Sequence, residues 1–256
     1  MLQRGGEGRP LRLLYFRLCM KVYAIIPAAG LGTRMAAGKA AAPSKQFTQL
    51  AGQPILIHTL RRFAECPQVD RIYVALRKNE IAGFQKRLNE ESFASRVELV
   101  VGGENRQESV ANALARLKAD GDDIVLVHDG VRPFVTRTII EDVIHAVEKH
   151  HAAIAGLPAV DTIKQVDRTA DGAIITSTIP RERVVMAQTP QGFRFRILKK
   201  AFDDATADHF TGTDEASLAE RAGYTVAVVM GSPRNIKITT PADMEVAELY
   251  ARDAGR

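Results

Sequence analysis

The sequence predicts an α/β domain in which a mostly parallel sheet is covered by helices on both faces, with one β-hairpin projecting as an arm. Three observations predict it. From Lys21 onward, short apolar runs alternate with amphipathic segments, the pattern of repeated βαβ units. The runs empty into loops rich in glycine and charge, as strand ends do in open parallel sheets. Between Pro158 and Gln188 the alternation gives way to two β-patterned segments around Asp171-Gly172, a hairpin signal.

The elements follow in order. Val22–Pro27 reads as a buried strand. Pro54–Glu65 reads as a helix opened by proline, with Ile55, Leu56, Thr59, Leu60 and Phe63 on one side. Arg71–Leu76 is a strand, Ile81–Asn89 a helix and Val97–Val101 a strand. Gln107–Lys118 is a helix, with Val110, Leu114 and Leu117 at helical spacing, and Ile124–Val127 is a further strand. Thr138 and Glu141 match a capping box opening a helix that turns Ile140, Val143, Ile144 and Val147 inward. Ala153–Leu157 is a strand. The hairpin of Val160–Val166 and Ala173–Ile179 has no place on a doubly wound sheet without breaking its order, so it is expected to project. It then either joins two subunits or folds against its own. The helix Asp214–Ala222, stopped by Gly223, the strand Val226–Met230 and a helix opening at Thr240-Pro241 complete the chain.

Composition narrows the function classes. The chain has 256 residues, 46% hydrophobic and 25% charged, which suits a sizeable core and excludes wholesale disorder and collagen. Two cysteines, Cys19 and Cys66, cannot make a disulfide framework or a four-ligand zinc site, favouring a reducing cytoplasm. The sequence pI near 9.3 invites a nucleic-acid reading. However, residues 1–20 carry four arginines against one glutamate, so the rest of the chain is near +2 of the formal +5. With no nucleic-acid-binding motif, nucleic acid is not an expected partner. The apolar run in residues 11–20 is cut by two arginines and is too short to span a bilayer. Residues 1–20 are expected to be a disordered or non-native extension, and residues 21–252 one domain with 158–188 as its arm.

The strand ends carry the candidate chemistry. After the first strand come Pro27, Ala28, Ala29, Gly30 and Gly32, small enough for backbone amides to approach a phosphate. The loop is neither a Walker A motif nor a dinucleotide fingerprint. Arg34 and Lys45 follow, and two cations converging on a Gly-rich strand end suit a triphosphate. Gly102-Gly103-Glu104 leads towards Ser109 and offers either open amides to a base edge or an ordinary tight turn. Asp129-Gly130 ends the fourth strand, where a carboxylate can bind or position Mg²⁺, directly or through water. His128 beside it is read as structural rather than as a metal ligand. Lys237 stands in an alternating apolar run and either meets an anion or snorkels from a strand.

Six motifs in order resemble the 2-C-methyl-D-erythritol 4-phosphate cytidylyltransferases: Pro27-Ala28-Ala29-Gly30-x-Gly32-x-Arg34-Met35 with Lys45-Gln46, Gly102-Gly103-x-x-Arg106-x-x-Ser109, Val127-His128-Asp129-x-x-Arg132-Pro133, Thr189-Pro190-Gln191, Thr213-Asp214-Glu215-Ala216 and Asn235-Ile236-Lys237. The resemblance runs from about Lys21 to Tyr250. It implies a Rossmann-like nucleotidyltransferase domain, a homodimer interlocked by the arm, and CMP transfer from CTP to a sugar-alcohol phosphate with a divalent cation, Mg²⁺ or another. By resemblance Arg34, Lys45 and Lys237 are catalytic. Pro27, Ala28, Ala29, Gly30, Gly32, Gly103, Glu104, Ser109, Asp129 and Gly130 bind the nucleotide. Asp129, Thr162, Arg181, Thr189 and Lys237 bind the acceptor, and Asp129 faces the metal. Two departures stand out. The Met35-to-Lys45 loop is longer than usual in the family, and Glu104 stands where Asp is common. The rival readings are a ribitol 5-phosphate cytidylyltransferase, which shares the nucleotide motifs, and a catalytically silent dimer scaffold.

Overall fold

The computed structural model describes residues 20–30 and 44–254. Gly32, Arg34, Met35 and the extension up to residue 19 lie outside them. The order is β1 (Val22–Pro27), β2 (Gln49–Leu50), β3 (Gln53–Pro54), α1 (Ile55–Ala64), β4 (Arg71–Leu76), α2 (Lys78–Leu88), β5 (Val97–Val101), α3 (Arg106–Leu114), β6 (Ile124–Val127), α4 (Arg137–His150), β7 (Ala152–Pro158), β8 (Ile163–Thr169), β9 (Gly172–Ile179), β10 (Val185–Arg194), α5 (Phe195–Ala207), α6 (Glu215–Arg221), β11 (Ala227–Met230) and α7 (Pro241–Ala254).

The main sheet has seven strands in the order β11-β7-β10-β6-β1-β4-β5. All neighbours are parallel except β10, which runs antiparallel between β6 and β7. Strand alternation divides the core into two layers. On β1, Val22, Ala24 and Ile26 join a cluster with α1, α2 and α4, including Leu60, Phe63, Phe84 and Val143. Tyr23 and Ile25 face the other way, onto α3, α5 and α6, with Val110, Phe202 and Leu218. Both faces of the sheet are therefore covered, which is why its central strands read as unbroken apolar runs.

The hairpin of β8 and β9 forms a separate two-stranded sheet. Val160, Ile174 and Ile175 on it are 72%, 64% and 61% exposed.

Three details differ from the expectations. The helix α4 is capped by Thr136, whose hydroxyl accepts from the Ile139 amide at 3.3 Å, not by Thr138. Glu141 instead takes Arg137 at 2.7 Å, so the expected capping box does not form. The helix predicted to reach Lys118 ends at Leu114; Leu117 stays buried because the chain folds back through a Leu117-to-Leu114 backbone bond of 3.2 Å. The central strand β10 and the helix α5 were unassigned from sequence, and β10 begins at Val185, so residues 185–188, expected in the arm, belong to the main sheet beside β7.

Candidate active site

The carboxyl ends of β1, β4, β5 and β6 meet at one rim of the sheet. Close packing of small residues holds the rim together. A side chain on Gly102 would place its Cβ 2.6 Å from Ala29 Cβ and 3.0 Å from Ser109 Oγ; one on Gly130 would lie 3.3 Å from Ala28 Cβ. Only glycine lets these loops approach so closely. Gln46, buried, donates to the Ala28 carbonyl at 2.6 Å, which brings the short 3₁₀ turn Lys45–Phe47 beside the end of β1.

Two further bonds tie the flanks of residues 31–43 to the start of α2. Arg77 Nε donates to the Ala29 carbonyl at 2.9 Å, and Ser44 Oγ donates to Glu80 at 2.6 Å. Neither Arg77 nor Glu80 belongs to a motif read from the sequence.

Of the two readings left open for the β5 loop, open amides or an ordinary tight turn, the structure has the turn. The Gly103 amide donates to Ser109 Oγ at 3.1 Å and the Glu104 amide to Glu108 Oε2 at 2.9 Å. Ser109 in turn donates to the Asn105 carbonyl at 2.8 Å. Asn105 caps α3 by accepting from the Glu108 amide at 2.9 Å. The two amides are thus satisfied within the loop, and Ser109 fixes the shape of its turn.

Asp129 lies at the centre of the charged cluster. Its Oδ2 is 3.0 Å from Lys237 Nζ and accepts from Arg132 Nε at 3.2 Å, while Oδ1 accepts from Arg106 Nε at 3.3 Å. Packing explains how Lys237 arrives, although it follows Asp129 by more than a hundred residues. Its neighbour Ile238 is buried among Leu50, Ile55, Val131 and Ala247, a burial that contributes roughly 1.5–3 kcal/mol. The Ile238 amide donates to the Val131 carbonyl at 2.9 Å. Arg132 Nη1 donates to the Asn235 carbonyl at 2.7 Å, which fastens the two loops side by side.

Burial would raise the Asp129 carboxyl, but the charges of Arg106, Lys237 and Arg132 hold it far below the ordinary carboxylate range. Burial likewise opposes the charge on Arg106, and the carboxylates of Glu215 and Asp129 outweigh it, so that guanidinium is held more firmly than usual.

A chain of hydrogen bonds supports this carboxylate from below. The Asp129 amide donates to Thr189 Oγ1 at 3.1 Å, Thr189 Oγ1 lies 3.0 Å from His128 Nδ1, and His128 Nε2 lies 3.1 Å from the Arg132 carbonyl. A carbonyl can only accept, so Nε2 carries the imidazole proton and Nδ1 accepts from the threonine hydroxyl. His128 is fully buried, and burial lowers its pKa to about 4. It is therefore neutral, in keeping with its structural reading. Thr189 spends its one proton on His128, so towards a ligand it can only accept. The buried Asn235 donates to the Thr189 carbonyl at 2.8 Å.

Arg106, Asp129, Arg132, Gln188, Thr189 and Lys237 line a cleft of about 190 Å³. A larger cavity of about 860 Å³, lined by Lys21, Tyr23, Arg71 and Arg116, lies at the opposite ends of the strands, away from the rim where parallel sheets gather their loops.

The structure thus brings together Ala28, Ala29, Gly103, Ser109 and Gly130 in the rim, and Asp129, Thr189 and Lys237 in the cleft. Pro27 ends β1, Gly30 is exposed beside it, and Glu104 is exposed on the β5 loop. Thr162 and Arg181 are not brought into this cleft within the chain. Both are exposed on the arm, where Arg181 Nη1 donates to the Val160 carbonyl at 2.9 Å. Arg106, Arg132, Asn235 and Glu215 stood in the sequence motifs without roles; the signal of the first three was charge or amide after a strand, and Glu215, at the start of α6, carried none.

Among the described residues no three His, Cys, Asp or Glu side chains gather to hold a metal ion. A lone carboxylate still suits Mg²⁺, which keeps much of its water and binds through one or two carboxylates plus substrate phosphates.

Residues 22–253 match the sequence model of the family described as 2-C-methyl-D-erythritol 4-phosphate cytidylyltransferase. A protein of that name from Acidobacterium capsulatum is 60% identical over 234 residues, covering 91% of this chain and 98% of its own. One from Solibacter usitatus is 49% identical, covering 91% and 97%. Among solved structures, the 2-C-methyl-D-erythritol 4-phosphate cytidylyltransferase of Francisella tularensis superposes with a TM-score of 0.74 at 36% identity, covering 90% of this chain and 99% of that one. The 4-diphosphocytidyl-2C-methyl-D-erythritol synthase of Anaerococcus prevotii gives 0.77 at 30%, covering 91% and 96%.

Proposed function

The chain belongs to the 2-C-methyl-D-erythritol 4-phosphate cytidylyltransferase family, and from that premise we propose how its strand-end cluster serves the reaction. The enzyme transfers CMP from CTP to 2-C-methyl-D-erythritol 4-phosphate in isoprenoid biosynthesis, giving 4-diphosphocytidyl-2-C-methyl-D-erythritol and pyrophosphate. An acceptor phosphate oxygen forms the new bond to the α-phosphorus. The bond from that phosphorus to the oxygen bridging the β-phosphate breaks, and its electron pair leaves with pyrophosphate.

The acceptor is already an oxyanion, so no general base is needed. The obstacle is repulsion: two unit charges at 4 Å repel by about 1 kcal/mol in water and about 4 kcal/mol near a protein surface. The protein's work is therefore positioning and charge neutralisation.

The observation that carries the reading is the placing of Lys237, 3.0 Å from Asp129, with Arg132 and Arg106 on the same carboxylate. Lys237 steadies the α-phosphate as charge builds on it, while Asp129 keeps that ammonium aimed. Lys45, and Arg34 outside the described residues, hold the triphosphate. The rim of Pro27, Ala28, Ala29, Gly30, Gly32, Gly103, Glu104, Ser109 and Gly130 receives the nucleotide, with Ala28, Gly103 and Ser109 nearest the cytosine. Asp129 also faces the ribose. Thr189 accepts from an acceptor hydroxyl. A divalent cation, magnesium in this reading, would be held by Asp129 and the substrate phosphates and would neutralise charge on the departing pyrophosphate.

The arm supports a homodimer. A lone two-stranded hairpin is marginal in water, and Val160, Ile174 and Ile175 on the arm are individually exposed, as apolar residues that a partner would cover. Thr162 and Arg181, exposed on that arm, then reach the acceptor in the partner's cleft. The dimer works in the cytoplasm, in keeping with the free, buried thiol of Cys66.

The test is pyrophosphate release with CTP and Mg²⁺, offering methylerythritol phosphate and ribitol 5-phosphate side by side. Turnover with the first alone is expected. Preference for ribitol 5-phosphate would overturn the acceptor assignment, and silence with both would favour a scaffold.

A further inference from the structure

Glu215 opens α6 with its side chain turned inward, and the residue is 1% exposed. Burial pushes its carboxyl upward, against the pull of one partner, Arg106. Its Oε1 and Oε2 accept from Arg106 Nη1 at 2.6 Å and Nη2 at 2.9 Å. This is a two-pronged pairing across 109 residues of sequence. The third edge of the same guanidinium, Nε, donates to Asp129 Oδ1 at 3.3 Å.

Stability alone does not account for the pair, since a buried ion pair gains little over apolar residues of equal volume. Geometry does. A guanidinium is a rigid planar fork, and its double-pronged face is its strongest seat for a carboxylate. Glu215 occupies that face. Asp129 is left with the single Nε edge at one oxygen, and its other oxygen stays turned towards Arg132 and Lys237. With the Glu215 charge removed, Arg106 is free to turn its fork onto Asp129 and take both oxygens, and Lys237 loses its seat.

We propose that Glu215 is a positioning residue for the transfer reaction: by clamping Arg106 edge-on to Asp129, it keeps one carboxylate oxygen of Asp129 for Lys237. This rests on Lys237 acting at the phosphates. Glu215 touches no substrate and acts only through Arg106 and Asp129.

The test is Glu215→Gln, which keeps the volume and removes the charge. The saturating rate of pyrophosphate release is measured beside the stoichiometry of CTP binding by calorimetry. The rate is expected to fall about 10–100-fold, by analogy with the loss of a residue that orients a metal-ligating side chain, with the number of CTP sites per chain unchanged. A wild-type rate overturns the proposal. So does a fall in rate matched by an equal fall in site number, which would mean only that fewer molecules fold.

If Glu215→Gln does not fold, Glu215→Asp keeps the buried charge but draws it back from the fork and loosens the clamp. It is expected to keep the stoichiometry and turn over about 10-fold more slowly, and a wild-type rate there overturns the proposal equally. Lys237→Met run in parallel separates the two claims. Full activity in Lys237→Met removes the reading of Lys237, whereas a slow Lys237→Met beside a fast Glu215→Gln removes only the role of Glu215.

Discussion

Moderate acid should destabilise this protein through His128, and the structure sets the size of the effect. The imidazole is fully buried, donates to the Arg132 carbonyl and accepts from Thr189, and its pKa falls from 6.5 to about 4. As pH drops below 6.5 the unfolded chain protonates this histidine while the folded one does not. Stability is therefore complete above pH 6.5 and is lost as pH falls towards 4. Linkage between those two values gives a loss of about 2 kcal/mol between pH 7 and pH 5. With a urea slope of about 1–3 kcal/mol per molar, the unfolding midpoint should fall by roughly 0.7–2 M. Other groups titrate in the same window, so the assay compares wild type with His128→Gln, whose amide can donate and accept in the same places without titrating. The fall between pH 7 and pH 5 should be smaller in the variant by about 2 kcal/mol. Equal falls in the two proteins would refute the reasoning.

Three further outcomes are expected. Asp129→Asn takes the carboxylate from Lys237 and Arg132 and leaves Arg106 to Glu215 alone, so stability without ligand should drop by about 3–5 kcal/mol. Added pyrophosphate should raise the melting temperature of this variant more than that of wild type; equal shifts would count against the carboxylate as the cations' anchor. Gly102→Ala puts a methyl group 2.6 Å from Ala29 Cβ, so the KM for CTP should rise while the KM for the acceptor changes little; an unchanged KM for CTP would separate this rim from the base. Subunits carrying Arg181→Ala, mixed with subunits carrying Lys45→Ala, should recover activity in one of two sites, and verified heterodimers without recovery would refute a shared site.

Much of the fold was legible because its strands are short and doubly covered. The strands β1, β4, β5 and β6 coincide with their apolar runs. The missed strand β10 carries Pro190 in its middle, a residue that argues against a central strand. Its register on β7 shifts between Ala187 and Gln191, so the chain is irregular where the proline falls. The helix α5 lacks the usual opening signal, since Arg194 stands at its cap position without a side-chain bond. The cap of α4 was misread because Thr136 and Thr138 both precede the apolar face, and the glutamate that completed the box serves Arg137 instead.

In the site, Asp129 was legible as a charge at a strand end and Lys237 as a charge in an alternating apolar run. Their partners were not. Arg106 and Glu215 belong to helices that meet only in the folded chain, and no local pattern announces that pairing. The Ser109 hydroxyl, read as binding the nucleotide, also shapes its own loop, accepting from the Gly103 amide and donating to the Asn105 carbonyl while keeping one lone pair to accept with.

The central claim is that the Asp129 cluster is where phosphate charge is handled, and Lys237→Met tests it most directly. At saturating CTP, Mg²⁺ and methylerythritol phosphate, the account predicts pyrophosphate release about 10²–10³-fold slower than wild type, on the scale of losing one preorganised electrostatic group. A rate equal to wild type would contradict it and move the chemistry away from this cleft.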